Sequence, residues 1–144
     1  MTASGDSVVA LARACLGTPF RAQGRLPGVG LDCVGLVVHV ARARGLRVDD
    51  RADYALTGDH DRLAGALSGA GLAPVAIADI TAGDVLLFRL AGVQSHLGIA
   101  SRTGDGAPAL IHAHLGLRRV VEHRLDDDWR AALVAAWRFP VREA

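Results

Sequence analysis

Cys33 stands directly after Asp32, where the loop GVGL (28–31) gives way to a helical pattern in VGLVVHVARARG (34–45). If Asp32 caps that helix, Cys33 lies in its first turn, where unpaired N–H groups and the helix dipole favour an anion. Such a setting draws a thiol from its free pKa of about 8.5 toward the reactive range. The same N–H groups could help to hold an oxyanion. The chemistry on offer is nucleophilic attack by a thiolate. The plain alternative is a small apolar residue buried at a helix start.

A thiol nucleophile needs a base. His39 lies six positions further along the same helix, about 120° around from Cys33, and reads as a solvated or core-edge side chain. His60 and His123 lie among charged residues and read as surface groups. His96 opens the segment SHLGIAS (95–101), and His112 and His114 end PALIHAH (108–114). A turn centred near Gly104–Asp105 brings His96 across from residues 112–114, and strand alternation sends His112 and His114 to one face. Histidines converging from two neighbouring strands are harder to explain by chance than any one of them alone. With Cys33 they supply a nucleophile, a base and a group to orient the base, hairpin register alone leaving open which histidine orients.

Positioning these side chains falls to a segregated set of elements. Residues 6–16 predict a first helix, capped by Asp6 or Ser7 and ended by Gly17. GTPFRAQGRLPGVG, with four glycines and two prolines, predicts a loop without regular elements. The helix begun by Asp32 is apolar on nearly every side, hence central and buried, and Gly45 stops it. Residues 59–70 predict a weaker surface helix. From Thr81 the period changes: AGDVLLFRL is a turn into a strand, SHLGIAS and PALIHAH are strands around RTGDGAP, and RRVVEHRL is another. DDDWRAAL reads as a short helical turn and LVAAWRFP as a closing strand. Helices first and strands second argue for an α+β fold, an antiparallel sheet packed on a buried helix.

The 144 residues leave room for one real core, so a single domain spanning 1–144 is expected. A chain 51% hydrophobic and 22% charged is globular rather than disordered. Every one of the 16 basic residues is Arg, yet net charge is only +1, which gives no field for a nucleic-acid partner. The start, MTASGDSVVALARACLG, has no basic n-region and its apolar stretch is broken by Arg13, so no signal peptide is expected. No stretch approaches membrane-spanning length. Cys15 and Cys33 could form one disulfide, and the redox compartment stays open.

LDCVGLV, GDVLLF, SHLGIA and LIHAH occur in the order and spacing of the NlpC-type cell-wall cysteine peptidases, a papain-like family, and the resemblance runs from LGTPF to AAWRFP. It implies a papain-like fold in which the Cys-bearing central helix packs on the sheet. By motif, Cys33 resembles the nucleophile of the family's Asp-Cys-Ser-Gly signature, His96 the base of its His-x-Gly-Ile strand, and His112 the third residue of its Ile-His-Ala strand. FRAQGRLPGVGLDCVGLV and LAPVAIADITAGDVLLFRL look most like the branch found in phage tails and gene-transfer-agent particles. Two positions depart from the pattern. Val34 replaces the Ser after the Cys, and Phe20 stands where a Tyr hydroxyl commonly lines the site. Gln23 on the same loop is a candidate amide donor in its place, so Phe20, Gln23 and Asp32 are the candidate substrate or oxyanion residues.

The function this implies is hydrolysis of peptidoglycan stem peptides, between γ-D-glutamyl and a diamino acid, with no cofactor. The alternatives are amide hydrolysis or acyl transfer on another substrate, and a structural protein of a phage-like tail that keeps the fold without turnover. Zinc on Cys33, His96 and His112 is conceivable, but no Cys-x-x-Cys or similar ligand pair accompanies them. The acidic run at 126–128 is explained more simply by helix-start capping than by a cation. Expected partners are a stem peptide and phage-like tail proteins, with synthesis in the cytoplasm and action at the cell wall.

Overall fold

The computed structural model describes residues 3–48, 60–90 and 94–141. The first helix, α1 (Ala3–Arg13), starts and ends three residues earlier than the periodicity predicts. After Arg13 the bonds Cys15 N–H to Ala12 O and Leu16 N–H to Arg13 O tighten the chain into turns, so Cys15 packs from a turn rather than from the helix. Gly17, at φ 85°, then redirects the chain.

The following loop is more ordered than its glycines and prolines suggest. Two short strands, β1 (Arg25–Leu26) and β2 (Gly30–Leu31), pair antiparallel. Helix α2 (Cys33–Ala43) begins at Asp32, whose Oδ1 accepts the Gly35 N–H at 2.7 Å. Eight of its eleven residues are buried, as an all-round apolar helix requires. Its C-terminus closes through Gly45 (φ 87°) and a bond from Leu46 N–H to Ala41 O. Helix α3 (His60–Gly69) turns Leu63 and Leu67 into the core; Asp59 and the His60 side chain, which the sequence assigned to helix and surface, lie outside the described residues.

The remaining elements build one six-stranded antiparallel sheet: β3 (Ala73–Val75), β4 (Val85–Leu90), β5 (Gln94–Arg102), β6 (Pro108–His114), β7 (Arg119–Arg124) and, after the short helix α4 (Asp127–Ala132), β8 (Leu133–Arg138). Their order is β3-β8-β4-β5-β6-β7. Alternation divides the sheet into two faces. Val85, Leu87, Leu97, Ile99, Ile111 and Ala113 pack with α1 and α2 in the main core. Leu86, Phe88, Ala100 and Leu110 form a second cluster under Trp129 of α4. Asp126 caps α4 by accepting the Trp129 N–H, which accounts for the acidic run.

Two further contacts tie the layers. Asp84, buried at the start of β4, takes a two-pronged ion pair from Arg138 of β8 at 2.9 and 3.0 Å. Along the outer edge of β7, Gly17 N–H donates to Val120 O, Val120 N–H to Thr18 O, and Phe20 N–H to Arg118 O. The loop carrying Phe20 is thereby fixed to the strand that follows the His112 strand.

Candidate active site

The start of α2 is held from below by Asp32, whose carboxylate is fully engaged in structure. Besides capping Gly35, Oδ1 pairs with Arg25 at 3.1 Å, and Oδ2 accepts the Gln23 N–H at 2.7 Å. Asp32, expected among the substrate or oxyanion residues, is 2% exposed and anchors the helix start through these bonds. Gln23 belongs to the same anchor. It is exposed, does not line the cavity, and holds Asp32 through its backbone at φ 60°. Gly35 belongs to the same construction: a Cβ there would lie 2.0 Å from Gly24 O, so only glycine lets the loop press on the first turn.

Cys33 is 1% exposed and lines a cavity of about 210 Å³ together with Phe20, His96, His112, His114, Leu115 and Trp129. Of the expected oxyanion residues, Phe20 therefore does line the site, but its ring donates no hydrogen bond. The neighbouring backbone N–H groups of Leu97, Val34 and Cys33 itself favour a thiolate. Burial outweighs them and, with Asp32 adding to it, pushes the thiol up to about 12. This reverses the expectation of a thiol drawn down by the helix start: desolvation exceeds what three N–H groups return. Cys33 and His96 face one cavity without a hydrogen bond joining them among the described residues, a looseness common before substrate binds.

His96 lies opposite Phe88 in the β4–β5 pairing, and its Nε2 sits 2.8 Å from His112 Nδ1. The approach depends on Gly98, two residues along the same face. A Cβ there would meet Leu110 Cδ1 at 2.5 Å and His112 Cβ at 3.2 Å. Burial holds His96 down to about 4, with His114 contributing, and burial with the neighbouring histidines holds His112 down to about 2. Both rings are therefore neutral at ordinary pH. His114, its ring centroid 5.1 Å from that of His112, bonds elsewhere, its Nδ1 accepting the Leu117 N–H at 3.1 Å.

Two residues were missed from the sequence. His123, read as a surface group, is half-buried, and its Nε2 lies 2.8 Å from His112 Nε2. Its Nδ1 lies 2.8 Å from the carbonyl oxygen of Arg124. Strand alternation could have found it: Glu122 and Arg124 make its neighbourhood look charged, but both point to the opposite face. Trp129 covers the histidines, its ring centroid 4.7 Å from His112, 5.7 Å from His123 and 5.8 Å from His96. No periodicity in DDDWRAAL announces that contact. Among the described residues no three His, Cys, Asp or Glu side chains are arranged to hold a metal ion.

A thiol at the head of a buried helix, sharing a cavity with a hydrogen-bonded histidine pair on an antiparallel sheet, defines a papain-like cysteine hydrolase. Residues 17–138 match the NlpC/P60 family, and the chain belongs to it. No curated protein matches the sequence. Among solved structures it is similar to the NlpC/p60 domain of the peptidoglycan hydrolase SagA, at 23% identity and TM-score 0.63, covering 92% of this chain and 96% of that one. It is also similar to an NlpC/P60 family protein from Bacillus cereus ATCC 10987 (21% identity, TM-score 0.66, 94% of this chain and 40% of that one). NlpC2 from Trichomonas vaginalis matches at 20% identity and TM-score 0.65, over 96% of this chain and 48% of that one. The chain thus spans less than half the length of the latter two.

Proposed function

We propose that the protein is a cysteine peptidase acting on peptidoglycan stem peptides, with Cys33 as nucleophile, His96 as base and His112 orienting it. The observation that carries this reading is the shared cavity of Cys33 and His96, with His96 held through Nε2 by His112. Family membership and the likeness to a peptidoglycan hydrolase domain support the substrate class.

The starting pair is a neutral thiol and a neutral imidazole. As sulfur attacks the scissile carbonyl, an S–C bond forms and the thiol proton passes to His96 Nδ1, the ring nitrogen not engaged by His112. The oxyanion is met by N–H groups at the start of α2, with no hydroxyl from position 20. His96 returns the proton to the leaving amine as the C–N bond breaks, and water then hydrolyses the thioester by the same base. Because the thiol is held so high, proton transfer accompanies attack instead of preceding it.

Digestion of purified muropeptides read by mass spectrometry tests the reading. Cleavage between γ-D-glutamyl and the diamino acid, abolished in Cys33→Ser and unchanged by EDTA, is expected. Loss with EDTA and recovery with zinc would point to a metal site instead. A second reading, a tail protein that keeps the fold without turnover, draws on Phe20 and on the buried thiol. It predicts intact muropeptides together with a requirement for the chain in particle assembly.

A further inference from the structure

Three imidazoles lie in one hydrogen-bonded row from the cavity to the edge of the sheet. The row ends on a group that can only accept. The carbonyl of Arg124 requires a proton on His123 Nδ1. In a neutral ring that leaves His123 Nε2 as acceptor, so His112 must donate from Nε2. His112 Nδ1 is then an acceptor, and His96 must donate from Nε2. The lone pair left over is on His96 Nδ1, where the thiol proton has to go. One backbone carbonyl fixes three tautomers.

From this row we infer that His123 is a positioning residue which takes up the positive charge created when Cys33 loses its proton. The step balances with two hops. As His96 Nδ1 accepts the thiol proton, the Nε2 proton of His96 passes to His112 Nδ1, and the Nε2 proton of His112 passes to His123 Nε2. His96 and His112 end neutral with their protons on the opposite nitrogens, and His123 ends as the imidazolium with its Nδ1–H still on Arg124 O. Return of a proton from His96 Nδ1 to the leaving amine reverses both hops. In a Ser-His-Asp triad the third group does not take the proton, because an aspartate is much the weaker base. Here the three groups are chemically alike, so environment alone decides where the charge rests. His112 is wholly buried and His96 nearly so, whereas His123 is only half-covered.

His112 and His114 face His123 from β6 and Trp129 from α4. Arg119 lies across from His114. On its own strand Glu122 is turned to Arg13 and Ser101, and the Arg124 guanidinium to Asp105. One further proton on the row leaves His96 Nδ1 protonated, and without His123 only buried rings are left to carry its charge.

This inference rests on the nucleophile proposed above, but its test needs no peptidase substrate. The rate of Cys33 alkylation by iodoacetamide is followed against pH in the wild type and in His123→Gln. Glutamine can accept from His112 and donate to Arg124 O, but it cannot carry the charge. The variant should keep the wild-type circular dichroism, alkylate at least tenfold more slowly at pH 7.5, and show its acid limb moved to lower pH. A wild-type rate and profile in His123→Gln would overturn the inference, whatever muropeptide digestion shows. Should the variant fail to fold, ring ¹⁵N NMR of the wild-type protein decides. Nδ1–H on His123 with Nε2–H on His112 and His96, and charge on His123 on acidification, is expected. Charge on His96 instead would overturn it.

Discussion

At Cys33 two effects of the same backbone compete, and their magnitudes decide how the residue reacts. Backbone N–H groups from β5 and the helix start favour the thiolate, but enclosure at 1% exposure costs more, and the thiol stays protonated. Reactivity then depends on the base instead of on a standing thiolate. Cys15 is as buried, but its sulfur is turned to Leu11 O at 3.6 Å. Iodoacetamide should therefore label Cys33 first, slowly at neutral pH, and Cys15→Ser should keep its activity. Preferential labelling of Cys15 in the folded protein would sink the assignment. His112 and His114 share a face, yet only His112 touches His96 through hydrogen-bonding nitrogen atoms. Muropeptide kinetics on His112→Ala should show kcat/KM lower by about 10²–10⁴-fold, or about 3–5 kcal/mol. His114→Ala should cost less than about tenfold, and His96→Ala at least as much as His112→Ala.

Among the elements, α2 works as a holder whose grip is Asp32. Three donors converge on its carboxylate from the first helical turn, β1 and the Gln23 backbone. Asp32→Ala removes the cap and strands partly buried donors, so it should lower unfolding stability by about 2–4 kcal/mol. Asp32→Asn keeps the Oδ1 acceptor and should lose less, a ranking that urea titration of both variants checks. Which elements the sequence disclosed follows from their length and periodicity. The buried helix and β4 to β8 repeat their patterns over six residues or more, and Cys33, His96 and His112 sit at defined points in them. β1, β2 and β3 span two or three residues and carry no period, so the hairpin beneath α2 was hidden inside a glycine-rich loop. His123 was hidden for a different reason. Its strand is legible, but its charged chain neighbours Glu122 and Arg124 lie on the opposite face and mask its setting. Trp129 depends on how α4 leans over the sheet, which is a matter of tertiary packing.

Over the molecule as a whole, keeping two imidazoles neutral inside the protein ties stability to pH. The folded-state values of His96 and His112 lie below the unfolded value near 6.5, so the unfolded chain binds more protons as pH falls. Their contribution is complete above pH 6.5 and is lost as pH drops, toward 4 for His96 and toward 2 for His112. For His96 alone the loss by pH 4 is about 2–3 kcal/mol. Thermal melts from pH 7.5 to 4.5 should show a falling Tm, less steep in His112→Gln; a flat profile would contradict the burial argument. No helix among the described residues is long and apolar enough to cross a membrane. The loop at 17–20, bonded along the outer side of β7, has a consequence for the company the molecule keeps. An open strand edge is a template for another chain, and this loop occupies much of that edge while Glu122 and Arg124 charge the rest. Thr18 pins the loop by accepting the Gly28 N–H at 2.9 Å. Thr18→Ala should loosen that cover, and sedimentation over a range of concentrations should then detect more self-association than in the parent chain.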